Sequence, residues 1–405
     1  MPTLAAPLKE RPRMDEPTAH DTELKSGSLQ FESSPRKRTS AAHNARQIDL
    51  SVIMPTNFWS GTFERCARRV LSLLDETTVN AEVVFVFDGA PPPTPAWLVR
   101  PDVRIVKTGA RSGPAIARNL AAESARGQIL FFLDADVELA ADAIDRVQAA
   151  FAADPDLVGL FGAYDDEPAA VGLASTFRSL LHHHTHISHP GTAGTFWSGC
   201  GAMRKTAFLD VGGFSRKYAY PCVEDIELGM RVAANGGKIL LTPEVRCKHV
   251  KYWTLASMVV ADIVQRAAPW TRLIVNSHEP PATLNLDWRG RLSGISSVLL
   301  AVCLIVSLFV PVALWAALAC GLVVFALNSD FYRLCLRKHG PGFAVASIAL
   351  HWLYFFYSSL TFGVVTLHEL WVRSRRSTAA GSRVVQPTAA IMLAAKASEL
   401  PRFGQ

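Results

Sequence analysis

The sequence predicts an α/β domain with a largely parallel sheet followed by a membrane part, and three observations lead there. From residue 48 onward, short β-branched and aromatic runs alternate with helical patterns. Polar residues stand directly after several of these runs, where an open α/β sheet binds its ligands. Beyond about residue 292, charged residues become sparse and apolar stretches grow long enough to span a bilayer.

In chain order, residues 1–47 are rich in Pro, Ser, Thr and both signs of charge, with no apolar run fit for a secretion signal. A disordered tail and a cytoplasmic domain after it are expected. Strands are predicted at residues 49–55 (DLSVIMP), 81–87 (AEVVFVF), 103–106 and 128–133 (QILFFL). A helix starts at Pro114, whose missing N–H suits a first turn, carries Ala115, Ile116, Leu120, Ala121 and Ala122 at helical spacing, and closes at Gly127. Residues 196–203 (FWSGCGAM) are expected to form a strand and turn, and Glu224 and Asp225 to open a helix before Gly236 and Gly237. An apolar run at 238–245 precedes His249.

Residues 254–274 place Leu255, Met258, Val259, Ile263, Ala267 and Trp270 at helical spacing with basic neighbours, the pattern of an amphipathic helix on a membrane surface. Residues 293–327 are too long for one span of roughly 20 residues and suffice for two joined near Pro311. Residues 343–367 make a third piece, spanning or re-entrant, because basic residues flank every piece and the positive-inside rule draws each flank to the cytoplasm. The formal net charge of +6 comes from scattered or membrane-flanking residues, without a nucleic-acid signature. Seven cysteines without a Cys-x-x-Cys pair indicate reduced, structural thiols.

Thr56, Asp88, Asp134 and Asp136 occupy strand ends. A carboxylate directly after a buried strand is costly unless solvated, paired or metal-bound. Asp134 and Asp136 project from one turn and can hold a hard cation such as Mg2+ or Mn2+ together with a diphosphate; taken alone, such a pair is far more often a solvated turn. The tract His182 to His186 with His189 lies between a helical pattern and the turn at 191–194 and lacks acidic or cysteine partners. A pocket-lining loop is expected there, not a metal centre.

The run GPAIARN at 113–119 with GQILFFLDADV at 127–137 resembles the donor-binding segment of family 2 glycosyltransferases. The resemblance continues in order through SVIMPT at 51–56, FVFDG at 85–89, GGF at 212–214 and EDIELGMR at 224–231, and covers most of residues 48–270. It implies a GT-A fold and an inverting, membrane-anchored glycosyltransferase of bacterial type that takes a nucleotide-diphosphate sugar, UDP-linked by preference, with Mn2+ or Mg2+. Pro55 and Thr56 would shape the base and ribose pocket and Asp88 would accept a hydrogen bond from the base. Arg118 would approach the phosphates or support the strand end. Asp134 would meet the ribose or the metal's water shell, and Asp136 would bind the metal. His249 would complete the metal shell or be structural. Asp225, beside Glu224, would be the general base, the alternative being that both acids complement a helix dipole.

Trp197 and Gly199 would approach the sugar and acceptor. QRAAPW at 265–270 stands where processive synthases of the family have Gln-x-x-Arg-Trp, and the altered spacing argues against polymer synthesis. Arg266 would meet the diphosphate and Trp270 an acceptor sugar, or both would be ordinary interface residues. The expected acceptor is a membrane lipid or lipid-linked molecule. A degenerate transferase scaffold would be expected to lose Asp136 or Asp225, and a nucleotidyltransferase would need a glycine-rich, lysine-bearing loop that is not evident. The expected organisation is a tail at 1–47, a catalytic domain at 48–253, an interface helix and linker at 254–291, a transmembrane region of two or three spans at 292–370 and a flexible basic tail at 371–405. The expected location is the inner (plasma) membrane, multi-pass, with the catalytic domain cytoplasmic.

Overall fold

The computed structural model describes residues 47–91, 93–277 and 287–381, with side chains to residue 375. The expectations for residues 1–46 and for the tail beyond 381 lie outside the described residues. The chain enters β1 (Leu50–Thr56), crosses by α1 (Gly61–Glu76) to β2 (Ala81–Phe87), and reaches β3 (Val103–Lys107) through one 3-10 turn. Then come α2 (Pro114–Ser124), β4 (Ile129–Leu133), β5 (Val137–Leu139), α3 (Ala143–Ala153), β6 (Leu157–Tyr164) and α4 (Leu173–Ile187). The domain closes with β7 (Gly191–Thr192), β8 (Cys200–Arg204), α5 (Lys205–Asp210), α6 (Glu224–Ala234) and β9 (Lys238–His249).

Among the described residues, nine strands form one sheet in the order β3-β2-β1-β4-β8-β6-β9-β5, with β7 on β9. β3, β2, β1 and β4 are mutually parallel, whereas β8 runs antiparallel between β4 and β6. The strands expected at four positions form, and the sheet is mixed instead of largely parallel. Alternation explains the layers: Val52, Met54, Val83, Phe85, Phe131 and Leu133 face α1 and α3, while Ile53, Val84, Val86, Leu130 and Phe132 face α2 and α6. At the edge remote from the cleft, the buried Glu82 accepts from Ser51 Oγ at 2.8 Å and from Arg126 N at 2.6 Å, which fixes the turn from α2 into β4.

Beyond β9, a helix composed of α7 (Leu255–Ala261), a π-helical segment (Asp262–Ala267) and α8 (Ala268–Asn276) follows. Thr254 caps it through the Ser257 N–H at 3.1 Å. After the undescribed residues 278–286 come α9 (Trp288–Val306), α10 (Ala313–Leu327) and α11 (Ser329–Gly381), the last broken at Gly340, whose φ is 81°, just before Pro341. α9 and α10 pair as a hairpin with Pro311 in its turn. By length and composition, α9 and α11 are apolar and long enough to cross a membrane. The hairpin is covered with exposed apolar groups, among them Leu299, Ile305, Phe309, Trp315 and Leu322.

The third apolar piece is helical throughout and takes a different course from the hairpin. Its Trp352 donates to Ser297 O at 3.2 Å at the base of α9. From there Tyr357, Glu369 and Arg373 meet Asp262, Arg272 and Val275 in turn, so α11 runs alongside the helix from α7 to α8. A separate apolar cluster of Phe177, Leu180, Trp253, Met258, Phe331 and Leu334 joins α4, α7 and the start of α11.

Candidate functional site

The carboxyl ends of β1, β2 and β4 open onto one cleft of about 2650 Å3, which extends from Thr56 and Asp88 to Ile295 on α9 and Phe362 on α11. Sites for one small ligand occupy roughly 300–1,000 Å3, so this volume admits two ligands side by side. Asp88 organises the first end. Its Oδ1 accepts from Ser112 N at 2.7 Å and Thr108 Oγ1 at 3.1 Å, and its Oδ2 from Gly113 N at 3.0 Å. Gly113 has a φ of 92°, and a Cβ there would stand 2.3 Å from Ala219 O, so only glycine lets these two loops touch.

At the β4 end, Arg118 is 5% exposed and tied to two carboxylates: Nη2 donates to Asp134 Oδ1 at 2.7 Å and Nη1 to Glu224 Oε1 at 3.0 Å. Of the two roles expected for Arg118, approach to the phosphates and support of the strand end, the second describes this buried clamp between the end of β4 and α6. Asp225 follows Glu224 in the first turn of α6. Its Oδ2 accepts from Ser198 N at 3.0 Å and Ser198 Oγ at 3.3 Å, and its Oδ1 from Ile226 N at 2.8 Å. Burial and the Glu224 charge push the Asp225 carboxyl up to about 6, against the pull of the Ser198 N–H and Arg118.

Asp136 and His249 meet because β5 pairs with the end of β9, Val137 opposite His249. Asp136 Oδ2 lies 3.6 Å from His249 Nε2. Burial raises the Asp136 carboxyl, but the His249 contact and the Lys251 charge outweigh it and hold the group below its ordinary value. Donors about 2.1 Å from one ion lie about 3–3.5 Å apart when adjacent, so this pair fits a divalent cation. Among the described residues no group of three or more His, Cys, Asp or Glu gathers round one point, so further ligands would be oxygens of a substrate or water.

An aromatic wall stands over this pair. The His249 ring stacks on Tyr164 with centroids 5.1 Å apart, and His182 packs against Tyr164 at 4.3 Å and Trp197 at 4.7 Å. Burial keeps His182 well below its ordinary pKa and His186 at about 4, so both rings are neutral. The histidine tract is thus not a loop but part of α4. His183 and His186 bond through Nδ1 to the carbonyls of Tyr164, at 2.6 Å, and Gly162, at 2.9 Å. A Cβ on Gly199 would lie 2.6 Å from the Trp197 ring, so Gly199 is the seat of that indole.

A model of the family described as Glycosyl transferase family 2 matches residues 51–212. Residues 51–212 carry a family 2 glycosyltransferase domain. The chain is an enzyme of the sugar-transfer class, and its mixed sheet is of the GT-A type. No curated protein matches the sequence. Among solved structures, the mannosyltransferase PcManGT from Pyrobaculum calidifontis, in complex with GDP-Man and Mn2+, is 17% identical over 81% of this chain and 88% of its own, with a TM-score of 0.47. GalNAc-T7 with UDP, GalNAc and Mn2+ is 16% identical over 53% of this chain and 48% of its own, with a TM-score of 0.39. S. aureus TarS is 17% identical over 57% and 40%, with a TM-score of 0.39.

The sheet and its helices bring Pro55, Thr56, Asp88, Arg118, Asp134, Asp136, Trp197, Glu224, Asp225 and His249 to the cleft, where Arg266 and Trp270 join them from the π segment and α8. Gly199 stays beneath Trp197, outside the lining. Sequence reasoning missed Tyr164, Arg178, Lys251 and Asp262. For the histidines a signal existed: His182 and His186 are four residues apart, which places both on one helix face.

Proposed function

We propose that the chain is an inverting glycosyltransferase that moves a sugar from a nucleotide-diphosphate donor, UDP-linked by preference, to a membrane lipid or lipid-linked acceptor. The observation that carries this reading is the placement of Asp225. Its carboxylate is immobilised by three hydrogen bonds at the head of α6, on the same cleft as Asp136 and His249, with its pKa raised to about 6. A base with that pKa is ionised at neutral pH and still basic enough to take a hydroxyl proton. Asp225 thus receives the proton of the acceptor's hydroxyl or singly ionised phosphate as that oxygen attacks the anomeric carbon from the face opposite the diphosphate.

Pro55 and Thr56 border the base and ribose, and Asp88 shapes their pocket by holding the 108–113 loop. Arg118 bridges Asp134 and Glu224, which keeps both side chains still while charge moves beside them. Glu224 acts through its charge on Asp225. Asp136 and His249 would hold Mn2+ or Mg2+, which when bound stabilises negative charge on the departing diphosphate. Trp197 forms the sugar wall.

The exposed apolar surface of the α9–α10 hairpin supports a membrane location. In this arrangement the hairpin enters the bilayer, while α11 lies with α7 and α8 along the cytoplasmic face. All the basic flanks then stay on one side, as the positive-inside rule asks. The test is transfer from a panel of nucleotide sugars with Mn2+ by the purified full chain in detergent. Asp136→Asn and Asp225→Asn are each expected to lower turnover by about a hundredfold or more. Undiminished activity in either variant refutes the assigned roles.

A further inference from the structure

The cleft contains a second charged cluster between the catalytic pair and the membrane helices. Arg178, on α4, is 9% exposed, and its Nη1 donates to Asp262 Oδ1 at 2.7 Å. Arg266 Nη1 lies 3.8 Å from the same oxygen. The other oxygen of Asp262 accepts from Tyr357 Oη at 2.7 Å. One carboxylate therefore serves two guanidiniums and has no oxygen left free of a partner. Arg178 Nη2 is buried without any partner. A third cation, Lys251, stands 4.4 Å from the Trp253 ring, the ring over which the Arg178 guanidinium also lies at 4.4 Å. Asp136, which the Lys251 charge also reaches, is engaged by His249.

The buried Arg178 thus shares its one counter-ion with the solvent-exposed Arg266 and keeps one donor without a hydrogen bond, and a buried donor is costly unless an acceptor joins it. Two neighbouring guanidiniums suit the oxygens of a phosphate better than those of a single carboxylate. The position of the cluster indicates which phosphate. Asp262 is held by Tyr357 of α11, and past it the same cleft continues over Ile295, Leu299, Phe355 and Phe362. An anionic head with an apolar tail matches this sequence of surfaces.

We infer that Arg178 and Arg266 form an anion subsite for the phosphate of a prenyl-type or other long-chain lipid phosphate, whose chain lies over Ile295, Leu299, Phe355 and Phe362. The inference rests on the sugar-transfer reading only in calling this ligand an acceptor. Asp262 and Tyr357 are positioning residues that hold Arg178 toward the cleft.

The experiment uses the full chain in detergent micelles, without sugar donor, and follows tryptophan fluorescence as farnesyl phosphate, farnesol, inorganic phosphate or UDP with Mn2+ is added. Farnesyl phosphate is expected to bind about tenfold or more tighter than farnesol, the worth of charge-assisted hydrogen bonds. Arg266→Gln, at an exposed position, and Arg178→Lys, which keeps the charge in the fold, are each expected to remove about tenfold of that preference. UDP affinity is expected to stay within about twofold, since nucleotide contacts lie elsewhere. Equal binding of farnesyl phosphate and farnesol overturns the subsite. Losses of UDP affinity that match the losses for farnesyl phosphate reassign the cations to the donor. Inorganic phosphate binding as tightly as farnesyl phosphate removes the lipid from the proposal. Because no transfer is read, an inactive enzyme that still prefers farnesyl phosphate refutes the reaction and leaves the subsite standing.

Discussion

Asp225 is shaped by two opposing influences, the N–H groups that stabilise its charge and the burial and Glu224 charge that oppose it, and the second pair prevails. The raised pKa has two consequences of opposite sign. Since the base must be ionised, kcat/KM is expected to fall about tenfold per pH unit below about 6 and to level off above it. For stability, the unfolded carboxyl titrates near 3.9, so the native state binds the proton more tightly. The stability this contributes is complete below about pH 4 and is lost as pH rises through about 6. Asp225→Asn is therefore expected to abolish the acid limb of the rate profile together with this group's fall in stability between about pH 4 and 6. An unchanged acid limb in that variant would assign the titration elsewhere. These residues were legible in the sequence as strand ends and a helix start, because those positions follow from apolar periodicity. The pairing of Arg118 with Glu224 was not, because it joins residues 106 apart through the sheet's order.

At the scale of elements, α6 carries Asp225 and is set against the 195–198 segment by one glycine. A Cβ on Gly229 would fall 2.2 Å from Phe196 N and 2.4 Å from Thr195 C, both backbone atoms that cannot step aside. Helix propensity alone would make Gly229→Ala stabilising by about 1 kcal/mol. Overpacking against backbone costs about 1–3 kcal/mol, and here it also separates Ser198 from Asp225. The substitution is thus expected to lower Tm by several degrees and turnover by about tenfold or more. A Tm at or above the parent's would show that α6 can shift without loss. The same scale explains the misread histidine tract. The place of 182–186 between a helical pattern and a turn suggested a loop, yet His183 and His186 place their Nδ1 atoms on carbonyls of β6, which makes a polar helix face buriable. β8, inserted antiparallel between β4 and β6, was equally hidden, since strand order is set by long-range pairing that leaves no mark on a local apolar run.

For the whole molecule, the course of α11 decides how the enzyme sits on a bilayer. Composition at 343–367 suffices for a span, but Tyr357, Glu369 and Arg373 are engaged in turn by the helix from Asp262 to Asn276. A helix so tied follows its partner's direction, and that partner carries the exposed Arg266 and Arg272, which favour headgroups over hydrocarbon. Among the described residues the hairpin has no such tether beyond its base. α9, with 19 residues, rises about 28 Å at 1.5 Å per residue, close to the hydrocarbon thickness of about 30 Å, and ends near Phe309, which is 82% exposed. Labelling with a membrane-impermeant maleimide tests this, the unsubstituted chain giving the background of the native thiols. Phe309→Cys is expected to react in spheroplasts and not in inverted vesicles, whereas Trp371→Cys is expected to react only in inverted vesicles. If Trp371→Cys labels from the outside, α11 crosses the bilayer, and the basic groups near residue 373 lie opposite the catalytic domain against the positive-inside rule.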